Sequence, residues 1–345
     1  MKLNSIPHKR WTKTSPPKRI LAIRFQALGD LVITLPYLQD LKRQYPGTKL
    51  DLLTRQEVSA IPQAIDLFDK IIVIGGGRNA KLQLFLSLLK IPSLWRAKYD
   101  MVLDLQNHRI SRIIRRLIGA PSWVEFDRES PIAAGERTRT SIEQCWHWKI
   151  KLDITFNLRY DNAKNLLRRN GWKENHRLIA LNPAGFCKSR NWPLKSYVSF
   201  AKLWLKEIDA MSQFVLLLMP AHEDKARYLS ETLGEACIDL TGKANQVEAF
   251  SILQQCDFML SEDSGLMHMA WTQGIPTLAL FSSSKAEWSA PQGERSLCLN
   301  SADLPCGPCM QEVCQFGDNR CLTRYTPEIV IAHAKKLIQE PSIAS

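Results

Sequence analysis

Asp263-Ser264-Gly265, with His268 three residues on, gathers an acid, a hydroxyl, a glycine and an imidazole within about one helical turn. The group follows the apolar run 258–260 and precedes Met269-Ala270-Trp271 and a second apolar run, 276–281. That pattern predicts strand, turn, helix, strand. An Asp or Ser oxygen caps such a helix start, and glycine lets the backbone approach a ligand closely. Free N–H groups and the positive end of the helix dipole suit an anion such as a phosphate. His268, one turn after Ser264, is spaced to face the same ligand. The alternative is an ordinary N-cap with a core histidine.

Three further strand ends carry chemistry. Asn182-Pro183-Ala184-Gly185 leads into Lys188, Arg190 and Trp192-Pro193. Backbone donors followed by fixed positive charge make an anion-binding loop, or a solvated basic one. Pro220-Ala221-His222 precedes Glu223, a carboxylate placed to accept from a ribose or to favour a helix N-terminus. Leu28-Gly29-Asp30 puts an acid beside a glycine at a strand-to-helix turn, as a cap or a general base. Asp104 ends another strand in the same half of the chain. Cys306, Cys309, Cys314 and Cys321 offer four thiols, whose first pair has the C-x2-C spacing of structural zinc. The alternative is a loop of reduced thiols or labile disulfides.

The elements that must position these groups alternate. Strands are predicted at 19–24, 49–53, 70–74 and 100–105, with helices after 28 and at 56–64, 81–90 and 110–118. Pro36 is expected to kink the first helix or mark a local irregularity in it, and Gly75-Gly76-Gly77 reads as a loop. After a domain junction near 152–170 that includes a helix at about 161–169, a second series runs 177–181, 194–208, 213–219, 223–233, 237–240 and 246–254, then the Asp263 turn, with a last helix at 327–337. Strand–helix alternation argues parallel, doubly wound sheets, and 345 residues suit two such domains. Strand order is not legible from this pattern.

The net charge of +12 points to an anionic partner. No zinc-finger, RRM or helix-turn-helix signature supports nucleic acid. No acid precedes Asp30, while Lys2, Lys9, Arg10, Lys13, Lys18, Arg19 and Arg24 are cationic. Residues 1–17 are therefore expected to be a disordered basic arm that seeks an anionic membrane surface. No apolar run reaches membrane-span length, and the basic N-terminus lacks a secretory h-region, so a cytoplasmic location is expected. Cys145, Cys187, Cys237 and Cys256, four of nine cysteines, read as small buried residues.

In this order the motifs resemble glycosyltransferase family 9, the lipopolysaccharide heptosyltransferases. The matching residues are Leu28-Gly29-Asp30 with Pro36, Asp104-Leu105-Gln106, Pro183-Ala184-Gly185 to Trp192-Pro193, and Asp263-Ser264-Gly265-x-x-His268. The likeness spans 18–339. It implies the α/β GT-B architecture, two Rossmann-like domains with parallel sheets facing a central cleft. The acceptor-binding domain would cover 18–160, a linker 161–175, and the nucleotide-sugar domain 176–345, with a Cys-rich loop at 298–321 and a final helix. The implied activity is inverting transfer of a heptose from ADP-heptose to the lipid-linked, anionic lipopolysaccharide inner core, without a required metal cofactor. The enzyme would be peripheral at the cytoplasmic membrane face. Asp30 would be the base, with Gly29 and Asp104 on the acceptor side. Arg190 stands where the family has a phosphate-binding lysine, and Lys188 would share that role. Glu223 would hold the nucleoside, and Asp263, Ser264, Gly265 and His268 the diphosphate and sugar. Two departures stand out: Ser282-Ser283-Ser284-Lys285 replaces a Gly-Pro-Thr-Asp-like turn, and arginine is not equivalent to lysine at a phosphate. They leave open a related transferase using another nucleotide sugar, or a non-catalytic sugar-nucleotide-binding module. Asp30 together with the phosphate loops speaks against the latter.

Overall fold

The computed structural model describes residues 6–77, 79–146, 149–152, 156–159, 162–185 and 187–339. The chain divides into two compact units, Met1–Arg159 and Tyr160–Ser345.

The first unit contains β1 (His8–Lys9), β2 (Arg19–Ile23), α1 (Leu28–Gln44), β3 (Lys49–Arg55), α2 (Ala60–Ala64) and β4 (Lys70–Ile74). It continues through α3 (Ala80–Leu88), α4 (Ile91–Ala97), β5 (Met101–Asp104), α5 (Arg109–Ile118), β6 (Ser122–Glu125) and α6 (Ala134–Cys145). The sheet order is β1-β6-β5-β2-β3-β4. The strands from β2 to β6 are parallel. Near-continuous apolar runs such as Ile20-Leu21-Ala22-Ile23, 0–1% exposed, are what a parallel sheet covered on both faces demands.

The second unit begins with α7 (Ala163–Arg169), β7 (Leu178–Asn182), α8 (Leu194–Glu207), β8 (Gln213–Leu216), α9 (Glu223–Leu233), β9 (Cys237–Asp239) and α10 (Gln246–Leu253). It ends with β10 (Phe258–Glu262), α11 (Gly265–Trp271), β11 (Thr277–Leu280), α12 (Ala286–Ser289), β12 (Ser296–Leu299), α13 (Arg320–Thr323) and α14 (Pro327–Gln339). Its parallel sheet runs β12-β11-β10-β7-β8-β9. Trp192, Phe200, Trp204, Phe214 and Phe258 fill the core, with Val330, Ile331 and Ala334 of α14.

In both sheets the chain first extends to one side and later returns to the other. The reversal falls between β2 and β5 in the first unit and between β7 and β10 in the second. Such switch points open a crevice at the strands' carboxyl ends, where ligands of open α/β sheets bind.

Several expectations are corrected. Residues 6–17 are not a disordered arm. β1 pairs antiparallel with β6, Ile6 and Trp11 are buried, and the Trp11 N–H donates to Cys145 O at 2.8 Å. Apolar Ile6 and Trp11 among the cations anchor this segment; residues 1–5 lie outside the described residues. The helix expected near 161–169 at the domain junction is α7, which packs on α10 within the second unit. The 298–321 segment is not a plain loop, since Cys298 lies in β12 and Cys321 in α13. The helix expected after residue 28 is α1, 17 residues long with Pro36 inside it. β6 and α6 lie where no element was predicted. The buried positions of α6 include Ala134, Gly135, Thr138, Ser141 and Cys145, so small size, not hydropathy, carries its period.

Candidate active site

In the first unit the β2/β5 register sets the geometry. Ile23 pairs with Asp104, so the loops that follow, 24–27 and 105–107, lie side by side. The Gln106 side-chain oxygen accepts from Phe25 N at 2.8 Å and Gln26 N at 3.0 Å. Buried Arg24 donates to Leu105 O, stacks over Phe126 at 5.0 Å and pairs with Asp30 at 3.0 Å. Burial lowers the Arg24 pKa, with Asp30 and Asp104 opposing. Asp30, in the first turn of α1 beside Gly29, also accepts from Ala27 N at 3.1 Å. Its side chain remains 42% exposed. The result is a reachable carboxylate with two fixed partners, at a switch point.

Asp104 does not share that position. It is fully buried, accepts from Asn107 N at 2.9 Å and lies 3.7 Å from Arg115. Arg115 is itself paired with Glu125 and stacked 3.9 Å over Trp123. Burial pushes the Asp104 carboxyl up to about 6, opposed by Asn107 N–H, Ser111 and Arg115. Asp104, expected on the acceptor side, is enclosed by protein here and braces the loop that follows β5.

In the second unit the loops after β7, β10 and β11 are neighbours, since Asn182 pairs with Ser261 and Glu262 with Leu280. Asn182 donates to Ser261 Oγ at 2.8 Å and to Ser264 Oγ at 2.6 Å. Ser264 caps α11 by accepting from Met267 N at 3.3 Å. A Cβ on Gly265 would meet no protein atom within 4 Å, so its backbone borders open space. His268 is buried, and its Nδ1 accepts from Trp271 Nε1 at 3.0 Å, which leaves the neutral ring's proton on Nε2. Arg190 pairs with Asp263 at 3.2 Å, and its Nε donates to Ser283 Oγ at 3.4 Å. Ser283, from the turn that departs from the family pattern, therefore touches Arg190. Ser283 Oγ also meets Ser189 Oγ at 3.0 Å, and its carbonyl accepts from Met310 N at 2.8 Å.

Glu262, which the sequence reading passed over, holds this loop in shape. Its fully buried carboxylate accepts from Gly185 N and Trp192 N, both at 2.6 Å, clamping the two ends of the 185–192 segment. A Cβ at Gly185 would sit 2.3 Å from Arg190 O and 2.8 Å from Glu262 Oε2, so only glycine fits. Lys225 bonds Pro183 O at 2.7 Å and also the Asn191 side chain. Burial pushes Glu262 up to about 8, against the pull of Gly185 N–H, Lys225 and Trp192 N–H. An acid ending an otherwise apolar strand was the available signal for Glu262; for Arg24 it was a cation directly after one.

The remaining expected residues lie apart from these contacts. Lys188 is exposed in a short 3-10 turn. Glu223 is exposed at the start of α9, 3.6 Å from Arg227. Among the described residues no three His, Cys, Asp or Glu side chains are arranged to hold a metal ion. Cys314, Cys309 and Cys306 nonetheless lie near enough to Cys321 to add to the rise that burial gives its thiol pKa. Cys306 is exposed and the other three partly so, and the segment they span is held by other contacts, with Gln311 O accepting from Ser189 Oγ and Glu312 O from Ser189 N.

The fold and motifs agree with comparisons to known proteins. A lipooligosaccharide heptosyltransferase 2 of Campylobacter jejuni is 29% identical over 322 residues, covering 90% of this chain and 96% of the relative. A glycosyltransferase family 9 structure from Veillonella parvula superposes with a TM-score of 0.75 at 20% identity, over 94% of this chain and 98% of that one. The structure of E. coli ADP-heptose lps heptosyltransferase II superposes at 0.69 with 19% identity, over 93% and 98%. The sequence model of glycosyltransferase family 9 (heptosyltransferase) matches residues 90–319. With two α/β units and this match over two thirds of its length, the chain belongs to glycosyltransferase family 9, the heptosyltransferase family.

Proposed function

We propose that this chain transfers a heptose from ADP-heptose to the lipopolysaccharide inner core, with inversion and without a metal, as a peripheral protein of the cytoplasmic membrane face. The carrying observation is Asp30, a reachable carboxylate fixed by Arg24 and Ala27 N at a switch point of a family 9 chain. The acceptor hydroxyl attacks the anomeric carbon as the bond from that carbon to the diphosphate oxygen breaks. Asp30 takes the hydroxyl proton, and ADP leaves with the bonding electrons. A single displacement inverts the anomeric configuration. Arg190, Lys188 and the backbone at Ser264–Gly265 stabilise charge developing on the diphosphate, and Glu223 contacts the nucleoside. Asp263 releases Arg190 to the phosphates or shares it with them, and His268 donates from Nε2.

Asp30→Asn retains an acceptor for Ala27 N but not a proton-accepting carboxylate. Turnover with saturating donor and acceptor is expected to fall about 10²–10⁴-fold, with melting temperature and ADP affinity near wild type. Near wild-type turnover rejects Asp30 as the base.

A second reading, transfer from a different nucleotide sugar, draws on the contact between Arg190 and Ser283 of the departing turn. Product analysis with a panel of nucleotide sugars decides between the two donors.

A further inference from the structure

Helix α3 packs Leu84 and Leu86 against the core of the first unit, yet it also carries an apolar outer face. Its buried residues are Gln83 and Ser87, while Leu82 (45% exposed), Phe85 (58%) and Leu88 (40%), with Leu89 just beyond (60%), face out. Spacings of three, six and seven residues set these four on one helical face. The apolar surface continues onto neighbouring helices. Trp95 of α4 is 54% exposed, and its indole N–H donates to Leu117 O of α5 at 2.7 Å, which fixes the ring beside Leu117, 42% exposed. Both α3 and α4 pack against α5. With Leu84 and Leu86 already serving the core, the outward leucines and phenylalanine add nothing to folding, and contiguous exposed patches of this kind mark interaction sites.

Charge identifies the partner. Residues 70–99 and 105–124 contain no Asp or Glu. Lys81, Lys90, Arg96, Lys98, Arg112 and Arg116 are all exposed on α3, α4, α5 and their connections. Apolar side chains ringed by unopposed cations suit the boundary of an anionic bilayer, where the apolar groups enter the acyl region and the cations meet lipid phosphates.

We infer that the α3–α4–α5 face of the first unit is a monotopic docking surface for anionic phospholipid. It extends the reading above, in which the acceptor is lipid-linked, and it moves membrane contact away from residues 6–17, which are folded against β6. No helix among the described residues is long and apolar enough to cross a membrane.

The test is co-sedimentation of the full chain with phosphatidylglycerol/phosphatidylcholine vesicles, with pure phosphatidylcholine vesicles as control. The wild type is expected to bind the anionic vesicles at least about tenfold more tightly, and less so as salt rises. Phe85→Glu/Leu89→Glu and the milder Phe85→Ser are expected to weaken binding at every salt concentration. Arg112→Gln/Arg116→Gln should reduce it chiefly at low salt. These positions are exposed, and unchanged circular dichroism and melting temperature confirm folding. The vesicles carry no acceptor, so Asp30→Asn should bind like wild type, and a failed transfer assay leaves this result standing. Wild-type binding that is absent or indifferent to lipid charge, or full binding by the Glu double variant, overturns the inference. A wild-type dimer in lipid-free solution that Phe85→Glu/Leu89→Glu makes monomeric would assign the face to a second copy of the chain and equally overturn it.

Discussion

Glu262 is fully buried beside Asp263, and by accepting from Gly185 N and Trp192 N it braces the loop that carries Arg190. Removing its carboxylate strands two buried N–H donors, at Gly185 and Trp192, each costing about 1–3 kcal/mol. Its pKa gives a pH signature of defined sign. Burial raises it from 4.5 in the unfolded chain to about 8 in the fold, where Lys225 and Tyr197 are its titratable neighbours. Between those values the folded state holds a proton that the unfolded state has released. The contribution is therefore fully present below pH 4.5 and is lost as pH rises through 8, by up to about 1.4 kcal/mol per pH unit. Asp104, raised from 3.8 to about 6, acts with the same sign over a lower window. Glu262→Gln cannot titrate, and its amide replaces only one of the two acceptor oxygens, a loss that does not vary with pH. In urea unfolding at a series of pH values, the stability difference between wild type and Glu262→Gln should shift in favour of the variant as pH rises from 5 towards about 8. Parallel profiles reject the assignment.

At the scale of elements, the segment from Ile6 to Pro17 is the clearest departure from a reading based on charge. It adds an edge strand to the first sheet through Pro7 O and Lys9 O, which accept from Glu125 N and the Ser122 hydroxyl at 3.1 and 2.8 Å. It then buries Trp11, whose indole donates to Ser15 O at 2.8 Å. Trp11→Ala is expected to lower stability by about 3–5 kcal/mol, the range for deleting a buried aromatic side chain, as read by chemical denaturation. Vesicle binding at temperatures where the variant is folded should stay unchanged. A surface-arm role predicts the opposite pair of results: full stability and weakened lipid binding.

At the scale of the whole molecule, the proposed function assigns donor binding to the second of the two units, and ligand binding is measurable without catalysis. The 182–192, 263–265 and 282–284 loops share one end of the second sheet. In a thermal-shift panel of ADP, UDP, GDP and CMP, ADP is expected to give the largest rise. One-site binding at a hundredfold excess over Kd stabilises the folded state by about 2.7 kcal/mol. Arg190→Ala should weaken ADP binding by about 1.5–3 kcal/mol, the worth of a charged hydrogen bond. A panel led by UDP or GDP supports the alternative donor and rejects ADP-heptose. An Arg190→Ala variant with wild-type ADP affinity removes Arg190 from the diphosphate site.

Local sequence determined the class of element at most positions, because apolar runs of strand length and helical periodicity depend on residues close in the chain. Ile20-Leu21-Ala22-Ile23 and Phe258-Met259-Leu260 announce buried parallel strands, and the ordered motifs at Asp30, Gly185 and Asp263 announce the family. The same reading passed over β6 and α6, whose short or small-residue patterns have no hydropathic period, and took a cation-rich segment for a free arm because charge outweighed its two apolar anchors. Only the tertiary structure decided which motif residues meet. Gly185 and Glu262 are 77 positions apart, Asn182 and Ser264 82, and Arg24 and Leu105 81. Each contact exists because strand order sets β7 beside β10 and β2 beside β5. Pairing across a sheet is a property of that order, which no window of local periodicity contains; for the same reason Asp30 and Asp104, two acids at strand ends, look alike in sequence and differ in the fold, one reachable and one sealed against Arg115.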